Sequence, residues 1–267
     1  MLTLYHADTA VCAAKVRVVL AEKAIPYESR LMALSRGDQF TPEYLKLNAN
    51  AVVPTIIHDG KVVTESTVIN EYLDEVFPAP PLRPIDAYGR ARVHLWTKRE
   101  DSIHDAINTM TWSTVFRADL MQKPPEQQRA RYENLPDPAR REKYRLMLEH
   151  GINAPMVFEA LIRFARLFND MEKALADGPW LNGEAFTLAD AGLISFFNRL
   201  EMLQMSGLWQ SRLPNVTAWF DRCKARPSFK LAIDDFITEE RRNKFHEVAS
   251  PLWPQVDAAH QKALATL

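Results

Sequence analysis

Ala51-Val52-Val53-Pro54-Thr55-Ile56-Ile57-His58-Asp59-Gly60-Lys61-Val62-Val63-Thr64-Glu65-Ser66 is the stretch on which the fold turns. Its apolar run predicts a strand over residues 51–57, interrupted near its start by Pro54, which cannot donate to a sheet ladder. His58-Asp59-Gly60-Lys61 predicts a tight turn, because Asp-Gly supplies the positive φ angles that a two-residue hairpin needs. Val62-Val63 is then the returning strand. Thr64-Glu65-Ser66 opens a helix through Ile69, Tyr72, Leu73 and Val76, which stops at Pro78.

Upstream, residues 2–6 read as a short apolar strand followed by the loop Ala7-Asp8-Thr9-Ala10. From about Val11 the residues Val16, Val19, Leu20 and Ala24 recur at helical spacing, and Pro26 ends that helix. Residues 27–32 form a second strand, so the chain opens with a parallel pair and a helical crossover. Thr41-Pro42-Glu43 starts another helix, with Thr41 as cap and Pro42 at its first position. The order β-α-β-α-β-β-α is a thioredoxin-like arrangement, and roughly 80 residues suffice for a small domain.

Downstream, the proline-rich residues 78–84 predict a stiff linker. Everything beyond it reads as helix: one long segment over residues 87–116, another over 141–175 broken near 151–155, and others over 188–205, 214–225 and 229–236. Lys123-Pro124-Pro125 and Leu135-Pro136-Asp137-Pro138 mark a polar excursion between them. The tail from about residue 239 carries Pro251 and Pro254 with weak periodicity, which predicts a segment wrapped over the surface. The expected organisation is an α/β domain over 1–78, a linker over 79–86 and an all-α domain over 87–267.

The chain has 267 residues, enough for one large or two modest domains, each with its own core. Lys+Arg number 33 against 34 Asp+Glu, so no basic excess exists to hold polyphosphate, and nucleic acid is not an expected partner. No apolar run approaches the roughly 20 residues needed to span a bilayer, and residues 1–8 do not read as a signal peptide. Cys12 and Cys223 make neither a metal spacing nor a disulfide framework. The expectation is a cytoplasmic protein without a metal.

Four places stand out, three for chemistry and one for folding. If the Val53-Pro54 bond is cis, the Val53 N–H and C=O turn outward together and can pair with an extended peptide; the plain alternative is an edge-strand proline without a ligand. Glu65 and Ser66 sit at a helix start, where unpaired amides and the helix dipole favour a carboxylate, while Glu65 can accept from an ammonium. A serine at an acidic first turn is also common as a simple cap. Thr187-Leu188-Ala189-Asp190 has capping-box spacing and concerns folding of the helical part. On the long helix, Asp101, His104, Asn108 and Trp112 recur at spacing that places them on one face.

Taken together, the strand order, Ala51-Val52-Val53-Pro54-Thr55, Glu65-Ser66 and Phe186-Thr187-Leu188-Ala189-Asp190 resemble the cytosolic glutathione transferases over nearly the whole chain. The resemblance implies a thioredoxin-like domain followed by an all-helical one, a homodimer, and glutathione as co-substrate. It also implies that Val53 and Pro54 hold the cysteinyl backbone and that Glu65 and Ser66 hold the γ-glutamyl end. Gln39 matches a glutamine that helps bind glutathione in the zeta class, and His104 roughly matches a polar residue beside the acceptor site, a solvent-facing or capped histidine being the plainer reading. With His104, Asn108 and Trp112 are the expected substrate-binding residues.

Two subgroups are similar in local sequence. Residues 58–69 resemble a bacterial lignin β-aryl-ether-cleaving glutathione transferase. Residues 200–205, residues 224–229 and Glu149-His150-Gly151 resemble the bacterial tetrachlorohydroquinone reductive dehalogenase. In both, a glutathione thiolate attacks carbon and displaces a halide or aryloxide, so catabolism or detoxification of aromatic compounds is implied.

A free thiol has a pKa of about 8.5, so the thiolate needs stabilising near neutral pH. Many members of the family place a serine or cysteine where this chain has Ala10, which departs from the serine mechanism. Cys12 matches the reactive cysteine of the dehalogenase subgroup and of the beta class, and a helix N-terminus favours its thiolate. Cys12 is therefore the candidate catalytic residue, Thr9 the fallback, and a merely packed cysteine the alternative. The competing functions are a zeta-like glutathione-dependent isomerase and a non-catalytic carrier of glutathione or a hydrophobic ligand.

Overall fold

The computed structural model describes residues 1–135 and 137–267; Pro136, part of the polar excursion, lies outside the described residues. Strands β1 (Leu2–His6), β2 (Glu28–Leu31), β3 (Thr55–His58) and β4 (Lys61–Thr64) form one sheet in the order β2-β1-β3-β4. Helix α1 (Val11–Glu22) is the crossover between the parallel strands β1 and β2, as the sequence predicts. The hairpin also forms where expected: Asp59 and Gly60 have φ of 48° and 79°, the two positive angles of a primed turn. Strand β3 begins at Thr55 rather than at residue 51, because Pro54 offers no N–H to the ladder and residues 51–54 stay a loop. The Val53–Pro54 peptide bond is cis.

Helices α2 (Pro42–Leu45) and α3 (Ser66–Val76) complete this part. Thr41 caps α2 as expected, its Oγ1 accepting from the Tyr44 amide at 3.4 Å. The remainder is helical: α4 (Ala87–Thr111), α5 (Arg117–Met121), α6 (Pro125–Glu133), α7 (Pro138–His150), α8 (Pro155–Ala174), α9 (Leu188–Met202), α10 (Pro214–Lys224), α11 (Pro227–Ala232), α12 (Glu239–Ala249) and α13 (Trp253–Leu264). The long segment over 87–116 is thus α4 plus a π-helical turn, Trp112–Phe116. The polar excursion holds the short helix α6, whose nine residues bury none of their side chains.

The chain divides into two compact units. The first gathers Met1–Lys98, Ala174–Phe196 and Ala218–Thr238; the second gathers Arg99–Lys173, Phe197–Thr217 and Glu239–Leu267. In the first, the proline-rich segment is pinned: Asp74 accepts from the Leu82 amide and from Arg83 Nε, both at 2.9 Å. Asp190 is its central polar anchor. Its carboxylate takes the amides of Leu181 and Thr187, the Thr187 hydroxyl and the Trp219 indole N–H at 2.9–3.2 Å. That is the role the capping-box spacing predicts, extended to a partner on α10.

In the second unit Phe168, Phe197 and Trp209 pack ring on ring, with centroids 4.9–5.8 Å apart. The tail is more regular than its weak periodicity suggests. Residues 239–264 form α12 and α13 joined by a 3-10 turn, and they bury Phe245, Ala249, Val256, His260 and Ala263. Pro251 sits in that turn and Pro254 in the first turn of α13, where a missing N–H costs nothing. None of the described helices is long and apolar enough to cross a membrane.

Candidate functional site

Strand register decides which residues meet. Thr55 pairs with Tyr5 on one side and with Thr64 on the other, while His6 pairs with Leu31. The ends of β1, β2 and β4 and the start of β3 therefore lie at one end of the sheet. From it leave the loop of Thr9 before α1, the loop of Gln39 after β2, the Val53–Pro54 loop, and Glu65 with Ser66 at the head of α3.

These loops are held by groups that sequence reasoning missed. Val53 packs in a cluster with Ala7, Met32 and Tyr44, and Ala10 lies against the same cluster. The Tyr44 hydroxyl donates to the Val52 carbonyl at 2.6 Å, and Asn48 Nδ2 donates to it at 3.0 Å. Both also meet the Thr55 hydroxyl, at 3.0 and 3.1 Å. The loop before α1 has its own clamp. Arg17, only 2 % exposed, donates to the carbonyls of Ala7, Asp8 and Ala232 at 2.7–3.0 Å and lies 4.0 Å from the Phe236 ring centroid. Burial brings its pKa down to about 10, still far above neutrality. The signal available in sequence was an Arg on the apolar face of a helix, which marks burial but not its partners.

The head of α1 has no side-chain cap, since Ala10 occupies that place. Its first ladder bond runs from the Ala14 amide to the Ala10 carbonyl at 2.9 Å, so the amides of Val11, Cys12 and Ala13 precede the ladder. Cys12 is half-buried and is a thiol rather than half of a disulfide. The Thr9 amide donates to Asp8 Oδ1 at 2.6 Å, and its hydroxyl lies 3.3 Å from the same oxygen. Lys15, 1 % exposed, reaches Thr67 Oγ1 at 3.3 Å and so ties α1 to the head of α3.

Glu65 stands at φ 67° and ψ 112°, in the left-handed half of backbone space although it is not glycine. Such strain of about 1–3 kcal/mol concentrates at functional positions. Its side chain is exposed and makes no ion pair among the described residues, whereas Ser66 is buried. The first ladder bond of α3 runs from the Ile69 amide to the Glu65 carbonyl at 2.8 Å, leaving the amides of Ser66, Thr67 and Val68 ahead of it. Gln39 Nε2 donates to the Leu34 carbonyl at 3.3 Å, and its Oε1 is buried without a partner. Chemically, this end of the sheet offers two uncapped helix heads for anions and one uncompensated carboxylate for a cation.

The remaining candidates lie on α4 and the π turn, in the second unit. His104 is exposed; Asn108 is half-buried, and its Nδ2 donates to the Tyr144 hydroxyl at 3.3 Å. Trp112 is buried edge-to-face on Tyr144 at 4.6 Å, with the Arg131 guanidinium 5.0 Å from its ring centroid. Asn108 and Trp112 thus converge on Tyr144 of α7, which the spacing argument did not find because it looks along one helix only. Cys223 is fully buried, and burial pushes its thiol well above the ordinary range, in keeping with a structural cysteine. Among the described residues no group of His, Cys, Asp and Glu is arranged to hold a metal ion.

Residues 11–76 match the model of the glutathione S-transferase N-terminal domain, and residues 126–222 match that of the C-terminal domain. Protein LigF of Sphingobium sp. (strain NBRC 103272 / SYK-6) is 31% identical over 256 residues, covering 92% of this chain and 98% of that one. The crystal structure of beta-etherase LigF from Sphingobium sp. strain SYK-6 superposes with a TM-score of 0.76 at 30% identity, covering 88% of this chain and 99% of that one. The tetrachloro-p-hydroquinone reductive dehalogenase of Sphingobium chlorophenolicum is 28% identical over 239 residues, covering 86% of this chain and 94% of that one. With both domain models matched and LigF aligned nearly end to end, this chain belongs to the glutathione S-transferase family.

Proposed function

We propose that the chain catalyses glutathione-dependent removal of a leaving group, halide or aryloxide, from an aromatic substrate. The observation that carries this reading is the head of α3: a strained, uncompensated Glu65 beside Ser66 and three amides ahead of the helix ladder. An α-amino-carboxylate such as the γ-glutamyl end of glutathione needs that pairing, an acceptor for its ammonium and donors for its carboxylate. Val53 pairs with the cysteinyl backbone at the Pro54 turn, and Gln39 adds an amide from the loop after β2. The similarity to LigF and to the reductive dehalogenase supports the aromatic substrate.

In substitution, the glutathione thiolate forms a C–S bond while the leaving group departs with the bonding pair. The amides of Val11, Cys12 and Ala13, or the Thr9 hydroxyl, stabilise that thiolate. In reduction, the Cys12 thiolate then attacks the sulfur of the thioether. The arene carbon leaves with the electron pair and takes a proton, and Cys12 is left in a mixed disulfide with glutathione. A second glutathione releases it as glutathione disulfide. His104, Asn108 and Trp112 contribute to the aromatic site. In this reading residues 1–78 are the glutathione-binding domain, 79–86 the linker and 87–267 the helical domain, and the chain works as a homodimer in the cytoplasm.

The test incubates the protein with glutathione and, separately, a β-aryl ether, a chlorinated hydroquinone and a cis-unsaturated dicarboxylic acid. Phenol or chloride release matched by glutathione consumption supports the reading. Isomerisation of a cis double bond without glutathione consumption, or retention on glutathione-agarose without turnover, overturns it.

A further inference from the structure

A cavity of about 510 Å³ lies wholly within the helical unit and shares no residue with the candidate site above. It is lined from the π turn and α5, from the end of α7 with the following 3-10 turn, and from the two tail helices. The tail helices lie beyond residue 222, where the match to the C-terminal domain model ends.

Its polar wall is built around Arg117. The guanidinium donates to the carbonyl of Leu148 at 2.8 Å and more weakly to that of Glu149 at 3.5 Å. It makes no ion pair among the described residues, so its charge lines the cavity uncompensated. The Glu149 carboxylate, also in the lining, is taken by Arg145 Nη1 at 2.6 Å. Gly151 explains why Arg117 keeps its place. Its φ of 54° and ψ of −125° suit glycine alone, and a Cβ there would fall 3.0 Å from Arg117 Nε. The side chain therefore lies flat against a bare α-carbon.

Ser113 stands four residues before Arg117 and also lines the cavity. It is 2 % exposed, and its Oγ has no hydrogen-bond partner. The neighbouring Thr114 hydroxyl instead satisfies itself on the Met110 carbonyl at 2.7 Å. A buried hydroxyl without a partner is costly, and π turns are often found where a helix serves a site. Ile152, Val248 and Leu252 form the apolar wall.

We propose that this cavity binds a small organic carboxylate, its acid group taken by Arg117 and Ser113 and its apolar body by Ile152, Val248 and Leu252. A guanidinium pairs with a carboxylate through two parallel N–H donors, which a neutral isostere cannot exploit. The volume falls within the range of small-molecule sites. The inference stands apart from the proposed reaction, because none of these residues touches glutathione in that reading.

The test is calorimetric titration of the full chain with benzoate, with S-hexylglutathione present throughout to occupy the glutathione end. Benzyl alcohol is the neutral control. Benzoate is expected to saturate at one site per chain. Arg117→Gln is expected to weaken it at least about tenfold, the effect of a lost charge-assisted hydrogen bond, and benzyl alcohol to bind correspondingly worse. Should Arg117→Gln fail to fold by circular dichroism, Ser113→Ala and Ala118→Leu decide. The first should weaken benzoate several-fold, and the second should fill the cavity and abolish binding while glutathione-dependent turnover persists. Equal benzoate affinity in wild type and all folded variants, or no saturable binding, overturns the proposal.

Discussion

Arg17 Nη1 lies 3.2 Å from His6 Nδ1, and because a guanidinium only donates, that ring nitrogen accepts. His6 is therefore neutral, with its proton on Nε2 and directed to Ser29 Oγ at 2.7 Å. Burial, reinforced by the Arg17 charge, lowers its pKa from 6.5 to about 4. Below pH 6.5 the unfolded chain takes up a proton that the folded chain refuses. The stabilisation is complete above 6.5 and is lost as pH falls towards about 4. It amounts to about 2–3 kcal/mol. Urea unfolding at pH 7 and pH 4.5 should show this loss in the wild type beyond that of His6→Gln; equal pH dependence in both proteins would refute it.

Removal of the Glu65 charge should reach glutathione affinity directly. Glu65→Gln keeps the size of the side chain and removes the acceptor for an ammonium, and Ser66→Ala removes one hydroxyl donor. Each is expected to raise the Kd for glutathione about tenfold or more, as for a charge-assisted hydrogen bond. Binding followed by tryptophan fluorescence measures it, and unchanged affinity in both variants removes the clamp from the head of α3.

Cys12→Ala separates holding glutathione from using it. Reductive removal of a leaving group should be abolished, with the glutathione Kd within about twofold of wild type. A variant that still reduces its substrate at the wild-type rate moves the role to Thr9 or to the amides ahead of α1.

Asp190 should govern stability without touching chemistry. Asp190→Asn presents an NH2 group to an array of four donors, so at least one buried donor loses its acceptor. Unfolding free energy should fall by about 3 kcal/mol. Trp219→Phe, which removes a single donor, should cost about 1 kcal/mol. Denaturant midpoints measure both, and a midpoint unchanged in Asp190→Asn would deny the carboxylate its anchoring role.

How much of this was legible in the sequence follows the range of the interactions. The Asp59-Gly60 turn, the Thr41 cap and the parallel start were readable because backbone sign, cap chemistry and helical spacing act within a few residues. Arg17, Tyr44 and Asn48 were not, since each serves main-chain carbonyls that only tertiary packing delivers. The tail looked featureless because its buried face is Phe245, Ala249, Val256, His260 and Ala263, small or polar at three of five positions. Hydropathy does not mark such a face, although its spacing of three to four is helical. Tyr144 escaped for a related reason: its meeting with Asn108 and Trp112 joins two helices across more than thirty residues.

The register at Thr55 also divides the labour of the sheet. With every candidate loop gathered at one end, the Asp59-Gly60 hairpin at the other carries a turn that Asp59 ties to the N-terminal amine, and nothing lies within 4 Å of a Cβ added at Gly60. That hairpin is a natural attachment point. A reporter peptide or surface anchor spliced between Asp59 and Gly60 would hang from the inert rim, so the protein can be immobilised or labelled internally with its working rim facing away.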